Sequence, residues 1–92
     1  MAYVYILKSL KNKKYYIGST EDLERRIKEH NNGQGGIFSK INGPWELVSF
    51  KKCRSIQEAR LQEKKVKSYK SGEAFKKIIN GEVAEWSKAA RC

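Results

Sequence analysis

Five side chains along this chain have the chemistry to handle a phosphodiester. Tyr5 and Tyr16 carry phenolic hydroxyls, Arg26 a guanidinium, His30 an imidazole and Glu63 a carboxylate. A guanidinium matches phosphate oxygens two at a time. A carboxylate can hold a divalent ion, and a phenol or an imidazole can orient water or take its proton. Together the set suits metal-assisted phosphodiester hydrolysis. Each residue also has an ordinary reading. Strand tyrosines are usually core aromatics with satisfied hydroxyls. Arg26 can snorkel from the core edge, and His30 can be a cation at a helix end. Glu63 can be a structural partner of Arg26.

The elements that must position these groups follow from periodicity. Tyr3-Val4-Tyr5-Ile6-Leu7 is β-branched, aromatic and aliphatic throughout, as in a buried strand. A polar turn over residues 9–14 leads to Tyr15-Tyr16-Ile17-Gly18, and so short a connector predicts an antiparallel hairpin. Alternation puts Tyr3, Tyr5 and Leu7 on one face, and pairs Tyr16 with Gly18 on one face of the second strand. Ser19-Thr20 before Glu21-Asp22 reads as a capped helix start, with Asn32-Gly33 as its stop. With Leu23 at zero on a helical wheel, Ile27 lies at about +40°, His30 at about −20° and Arg26 at about −60°. Arg26 and His30 therefore share the apolar side and point toward the sheet or its rim.

Residues 31–44 hold four glycines and the only proline and read as a loop. Trp45 to Phe50 reads as a third strand. Ser55-Ile56-Gln57-Glu58 forms a capping box that opens a helix running to about Tyr69. With Ala59 at zero, Val66 lies at about −20°, Glu63 at about +40° and Ile56 at about +60°. Glu63 thus falls in the apolar stripe, where a carboxylate needs a partner, a metal or a wet cleft. Ser71-Gly72 ends that helix, and Glu73 to Ile79 forms a last short one. The order ββαβαα predicts a mixed α/β (α+β) domain with a small, mainly antiparallel three-stranded sheet flanked by helices.

Composition narrows the function classes. The chain has 92 residues, 20 Lys+Arg against 10 Asp+Glu, and a net charge of +10. That length allows one modest core. Residues 1–46 carry eight bases and five acids, and residues 47–92 twelve and five, so the excess is concentrated in the second half. A basic surface of this kind commonly meets a polyanion. No apolar run is long enough to span a bilayer, and no signal peptide is recognisable. Cys53 and Cys92 are far apart and His30 is the single histidine. That pattern disfavours a disulfide scaffold or a structural zinc site and fits a reduced, cytoplasmic protein.

The order and spacing of the motifs carry a resemblance. Tyr3-Val4-Tyr5, then Tyr16-Ile17-Gly18 after a short turn, then Arg26 and His30, resembles the GIY-YIG nuclease family. The first motif departs from the family name by Tyr3 and Val4 but keeps the tyrosine as Tyr5; the second matches in full. The stretch from Asp22 to Asn31 is similar to the family's Arg/His helix, and Glu58 to Lys67 looks like its metal-binding helix, with Glu63 as the acidic ligand. The likeness spans residues 2 to about 79 and is closest to small standalone members. These are similar to the N-terminal nuclease domain of the bacterial excision-repair incision subunit.

The resemblance implies a one-metal hydrolysis. Glu63 would hold Mg²⁺ or Mn²⁺, Arg26 would clamp phosphate oxygens, and Tyr5 would orient or deprotonate the attacking water with Tyr16 and His30 assisting. Ionising an ordinary phenol at pH 7 costs roughly 4 kcal/mol, so a nearby cation must offset it. Gly18 would let the backbone come close to the phosphate. Larger relatives often carry an asparagine after the acidic ligand. Here that region holds Phe75 and no asparagine until Asn80, which leaves Lys67 and Lys70 as substitutes on the nucleic acid.

The domain is expected over residues 1–80. Residues 81–92 read as a separate tail, because Gly81 to Ala90 looks like the translated 5′ part of a serine-type tRNA gene. On that basis the tail is dispensable. The other reading is an amphipathic C-terminal helix with Trp86 docked on the core. The function expected is a metal-dependent endonuclease on double-stranded or branched DNA, in repair or recombination. The alternatives are a weakly catalytic nucleic-acid-binding module acting with a protein partner, and an RNA- or ribosome-associated basic protein.

Overall fold

A computed structural model describes residues 1–32, 43–69 and 72–88. The elements are β1 (Ala2–Ser9), β2 (Tyr15–Thr20), α1 (Leu23–Asn31), β3 (Trp45–Cys53), α2 (Ile56–Tyr69), α3 (Glu73–Ile79) and β4 (Ser87–Lys88). The strands form one antiparallel sheet in the order β2-β1-β3-β4. The fold is thus the expected mixed α/β arrangement, with β4 added to the expected three strands. Among the described residues no helix is long and apolar enough to cross a membrane.

β1 is the central strand, with helices over both of its faces. That explains why it is apolar on both sides rather than alternating. Tyr5 and Leu7 face α1 and share a small core with Trp45, against which Tyr16, Leu23, Ile27, Leu47 and Phe50 pack. Ala2, Val4 and Ile6 face α2 and α3 and share the larger core with Cys53, Ala59, Val66, Phe75, Ile78 and Trp86. A bulge between Ile6 and Leu7 shifts the pairing with β3, so that Ile6 opposes Ser49 and Leu7 opposes Leu47.

The helix starts differ in one detail from the expectation. β2 stays extended to Thr20, so the cap of α1 falls on Asp22, whose carboxylate accepts from the Arg25 amide at 3.1 Å. Thr20 Oγ1 accepts from the Asp22 amide, and Ser19 is used elsewhere. The Ser55 cap holds, with its Oγ accepting from the Glu58 amide at 3.2 Å. At the other end of α1, the Asn31 side chain accepts from the Trp45 amide at 2.6 Å and donates to the Trp45 carbonyl at 3.3 Å. This pair ties the helix end to the start of β3.

Residues 81–88 form turns followed by a two-residue strand, not a helix. Trp86 is 6% exposed within the larger core, and Lys51 pairs with Glu85 at 3.1 Å. Most of the glycine-rich stretch read as a loop, together with Lys70, Ser71 and Cys92, lies outside the described residues.

Candidate active site

The site is built around the edge strand β2. Tyr5 stands on β1 directly opposite Gly18 and reaches across β2 at that position. A Cβ at residue 18 would lie 2.5 Å from the Tyr5 hydroxyl oxygen and 2.8 Å from its ring carbon Cζ. Glycine here makes room for Tyr5. Tyr5 makes this close approach because cross-strand partners share a face.

The Tyr5 hydroxyl meets His30 Nε2 at 3.0 Å. The Tyr5 and Tyr16 rings are stacked with centroids 6.4 Å apart, and Tyr16 makes an edge contact with His30 at 4.5 Å. Trp45 closes this aromatic cluster, 5.9 Å from Tyr16 and 6.5 Å from His30. Sequence reasoning read Trp45 only as a strand start. Its place beside His30 follows from the Asn31 tie, which periodicity does not show.

Arg26 lies at the rim, its side chain 30% exposed, with Glu29 Oε1 at 3.3 Å. Burial alone would weaken the Arg26 charge, but the neighbouring Tyr5, Glu29 and Tyr16 side chains outweigh it and raise its pKa. Burial pushes the Tyr5 phenol up to about 12, although Arg26 beside it works the other way. His30 is lowered to about 4, first by burial and then by the Arg26 charge, with Glu29 opposing. At neutral pH the pair is therefore a phenol and a neutral imidazole. Making the phenolate at pH 7 would cost roughly 7 kcal/mol. The Tyr5 hydroxyl and His30 Nε2 share one hydrogen bond, and the tautomer of the neutral imidazole sets which of them donates.

Glu63 belongs to the opposite layer. It stands on α2, packed on the other face of the sheet, and its carboxylate comes to the β2 edge. Ser19 Oγ donates to Glu63 Oε1 at 2.7 Å, and Lys67 Nζ donates to Oε2 at 2.7 Å. The Glu63 charge is near enough to Tyr5 to add to the rise of its phenol. So Tyr5, Tyr16, Arg26 and His30 gather on one face, Glu63 and Lys67 on the other, and β2 joins them through Gly18 and Ser19. Glu63 does not pair with Arg26. Ser19 was read as part of a helix cap. Alternation from Gly18 could have found it, since the next residue must face α2.

The donor set suits one class of metal. Among the described residues no three His, Cys, Asp or Glu side chains cluster. Glu63 offers a single carboxylate with a hydroxyl beside it. Soft, multi-ligand ions such as zinc do not fit that set. A hard ion such as Mg²⁺ does, because it keeps several waters and binds through one or two carboxylates plus substrate phosphate.

A family model described as the GIY-YIG catalytic domain matches residues 1–89. The UPF0213 protein CPE1444 of Clostridium perfringens is 38% identical over 85 residues, covering 92% of this chain and 90% of its own length. The UPF0213 protein YazA of Bacillus subtilis is 32% identical over 90 residues, covering 95% and 90%. The solution NMR structure of the UPF0213 protein BH0048 from Bacillus halodurans matches with a TM-score of 0.55 and 33% identity, over 91% of this chain and 88% of that one.

Proposed function

The chain belongs to the GIY-YIG family, and on that membership we propose that it is a metal-dependent endonuclease that hydrolyses phosphodiester bonds in DNA. The observation that supports this reading best is the meeting of Tyr5, Arg26 and His30 with Glu63 around the edge of β2.

The side chains have distinct tasks on this reading. Arg26 binds the phosphate oxygens, its rim position giving it both the site and solvent. Tyr5 holds the attacking water through its oxygen. It is a poor resting base, since a phenol is protonated at neutral pH and burial raises its pKa further. His30, neutral and buried, fixes the Tyr5 hydroxyl through Nε2. Tyr16 packs against both rings and fixes their orientation. Glu63 is the residue that would hold Mg²⁺ or Mn²⁺. The bound ion would supply Lewis-acid polarisation of the phosphate and stabilise the leaving oxygen. Lys67 and Lys70 would contact the nucleic-acid backbone. Double-stranded or branched DNA is the substrate class, repair or recombination the setting, and the cytoplasm the compartment.

The test is cleavage of supercoiled plasmid and of a branched duplex, with Mg²⁺, with Mn²⁺ and with chelator. Wild type is expected to cut only with metal. Glu63→Ala is expected to abolish cutting, and Arg26→Ala to slow it by about 10²–10³-fold. If wild type and Glu63→Ala both bind DNA and neither cuts, the nuclease assignment falls and a binding module acting with a partner protein replaces it.

A further inference from the structure

Both oxygens of the Glu63 carboxylate are engaged. Ser19 holds Oε1 from the β2 side, and Lys67 holds Oε2 from one turn further along α2. Ser19 carries no charge and orients the carboxylate without neutralising it. Lys67 does neutralise it. A glutamate four residues N-terminal to a lysine is the favourable orientation for such a pair on a helix. The two ends of the pair differ in freedom: the Glu63 side chain is 21% exposed and the Lys67 side chain 55%. The carboxylate is fixed, while the ammonium can swing away.

Given the metal-dependent nuclease proposed above, we propose that Lys67 is a substrate-displaced counter-cation that couples metal loading at Glu63 to the arrival of a DNA phosphate. In the free protein the ammonium occupies the place where a divalent cation would bring its charge. The two cations repel each other, so metal binds weakly. A backbone phosphate at the site offers the ammonium a second anion within reach of its flexible stem. Once it moves there, the carboxylate and the phosphate together present their full negative charge to the metal. Linkage then requires that metal strengthen DNA binding by the same factor. Lys67 is a positioning residue in this scheme, since it acts through Glu63 and the phosphate. The device keeps the free protein poorly loaded and confines metal to the DNA-bound state.

The test compares wild type, Lys67→Met and Glu63→Gln by Mn²⁺ titration of the free protein, followed by electron paramagnetic resonance. Methionine keeps the length and the helix preference of lysine at this half-exposed position, so the fold is preserved. Lys67→Met is expected to bind Mn²⁺ about three- to tenfold more tightly than wild type. A structural role for Lys67 would give no such gain. In chelator, the dependence of log K for duplex DNA on log salt is expected to fall by about 0.9 in Lys67→Met, one phosphate contact. Glu63→Gln is expected to lose Mn²⁺ affinity. If it weakens Mn²⁺ while Lys67→Met does not tighten it, the counter-cation role is overturned and the metal site stands. If Glu63→Gln binds Mn²⁺ as well as wild type, the metal site fails and the counter-cation role with it. An unchanged salt slope overturns the transfer of Lys67 to phosphate.

Discussion

A methyl group at position 18 would lie well inside contact distance of the Tyr5 hydroxyl and ring. Neither neighbour can easily give way, because Tyr5 is 1% exposed and hydrogen-bonded to His30. Gly18→Ala is expected to cost about 1–3 kcal/mol in denaturant unfolding and to disrupt the site. Combined with Tyr5→Phe the cost should be less than additive, since part of the clash is with the hydroxyl. His30 makes a second prediction at this scale. In the unfolded chain it takes a proton near 6.5, in the folded protein near 4. Between those values the unfolded state binds more protons, so stability rises with pH. The contribution is full above pH 6.5 and is lost as pH falls toward 4, about 3 kcal/mol in all. Unfolding at pH 7 and pH 4 should therefore show a smaller acid loss in His30→Gln than in wild type. An equal loss would mean that His30 is not held neutral.

At the scale of elements, the edge strand and the C-terminal segment matter most. β2 shows Gly18 to one layer and Ser19 to the other, so a single strand carries both halves of the site. The expected apolar stripe of α2 places Ala59 and Val66 in the core and brings Glu63 to the sheet edge. Phe75 is buried against Tyr15 with ring centroids 5.1 Å apart. Trp86 is packed in the same core, and Ser87–Lys88 pair with β3. Deleting residues 82–92 tests the segment directly. The truncated protein is expected to lose roughly the 3–5 kcal/mol typical of removing a buried large aromatic, read as a drop in melting temperature. An unchanged melting temperature would support a dispensable tail.

On the scale of the whole molecule, a central sheet between two helical layers brings distant residues together. Tyr5 and His30 are separated by 25 positions and Ser19 and Glu63 by 44, yet each pair is in hydrogen-bond contact. The element order through α3, the apolar faces and the candidate side chains were legible in the amino-acid sequence. Hydrophobic periods of two and 3.6 residues are local properties that neighbouring side chains set between themselves. The inward turn of Arg26 and His30, and the capping of α2 by Ser55, follow from that local pattern. Periodicity tells which side of its own element a residue faces. It does not tell which element lies across from that side, because strand order and layer are global choices. Only the tertiary structure placed Glu63 in the layer opposite His30, gave it Ser19 and Lys67 as partners, and seated Trp86 in the core. The shifts in proton affinity belong there too, since burial raises the Tyr5 phenol above its ordinary value and lowers the His30 imidazole below its own.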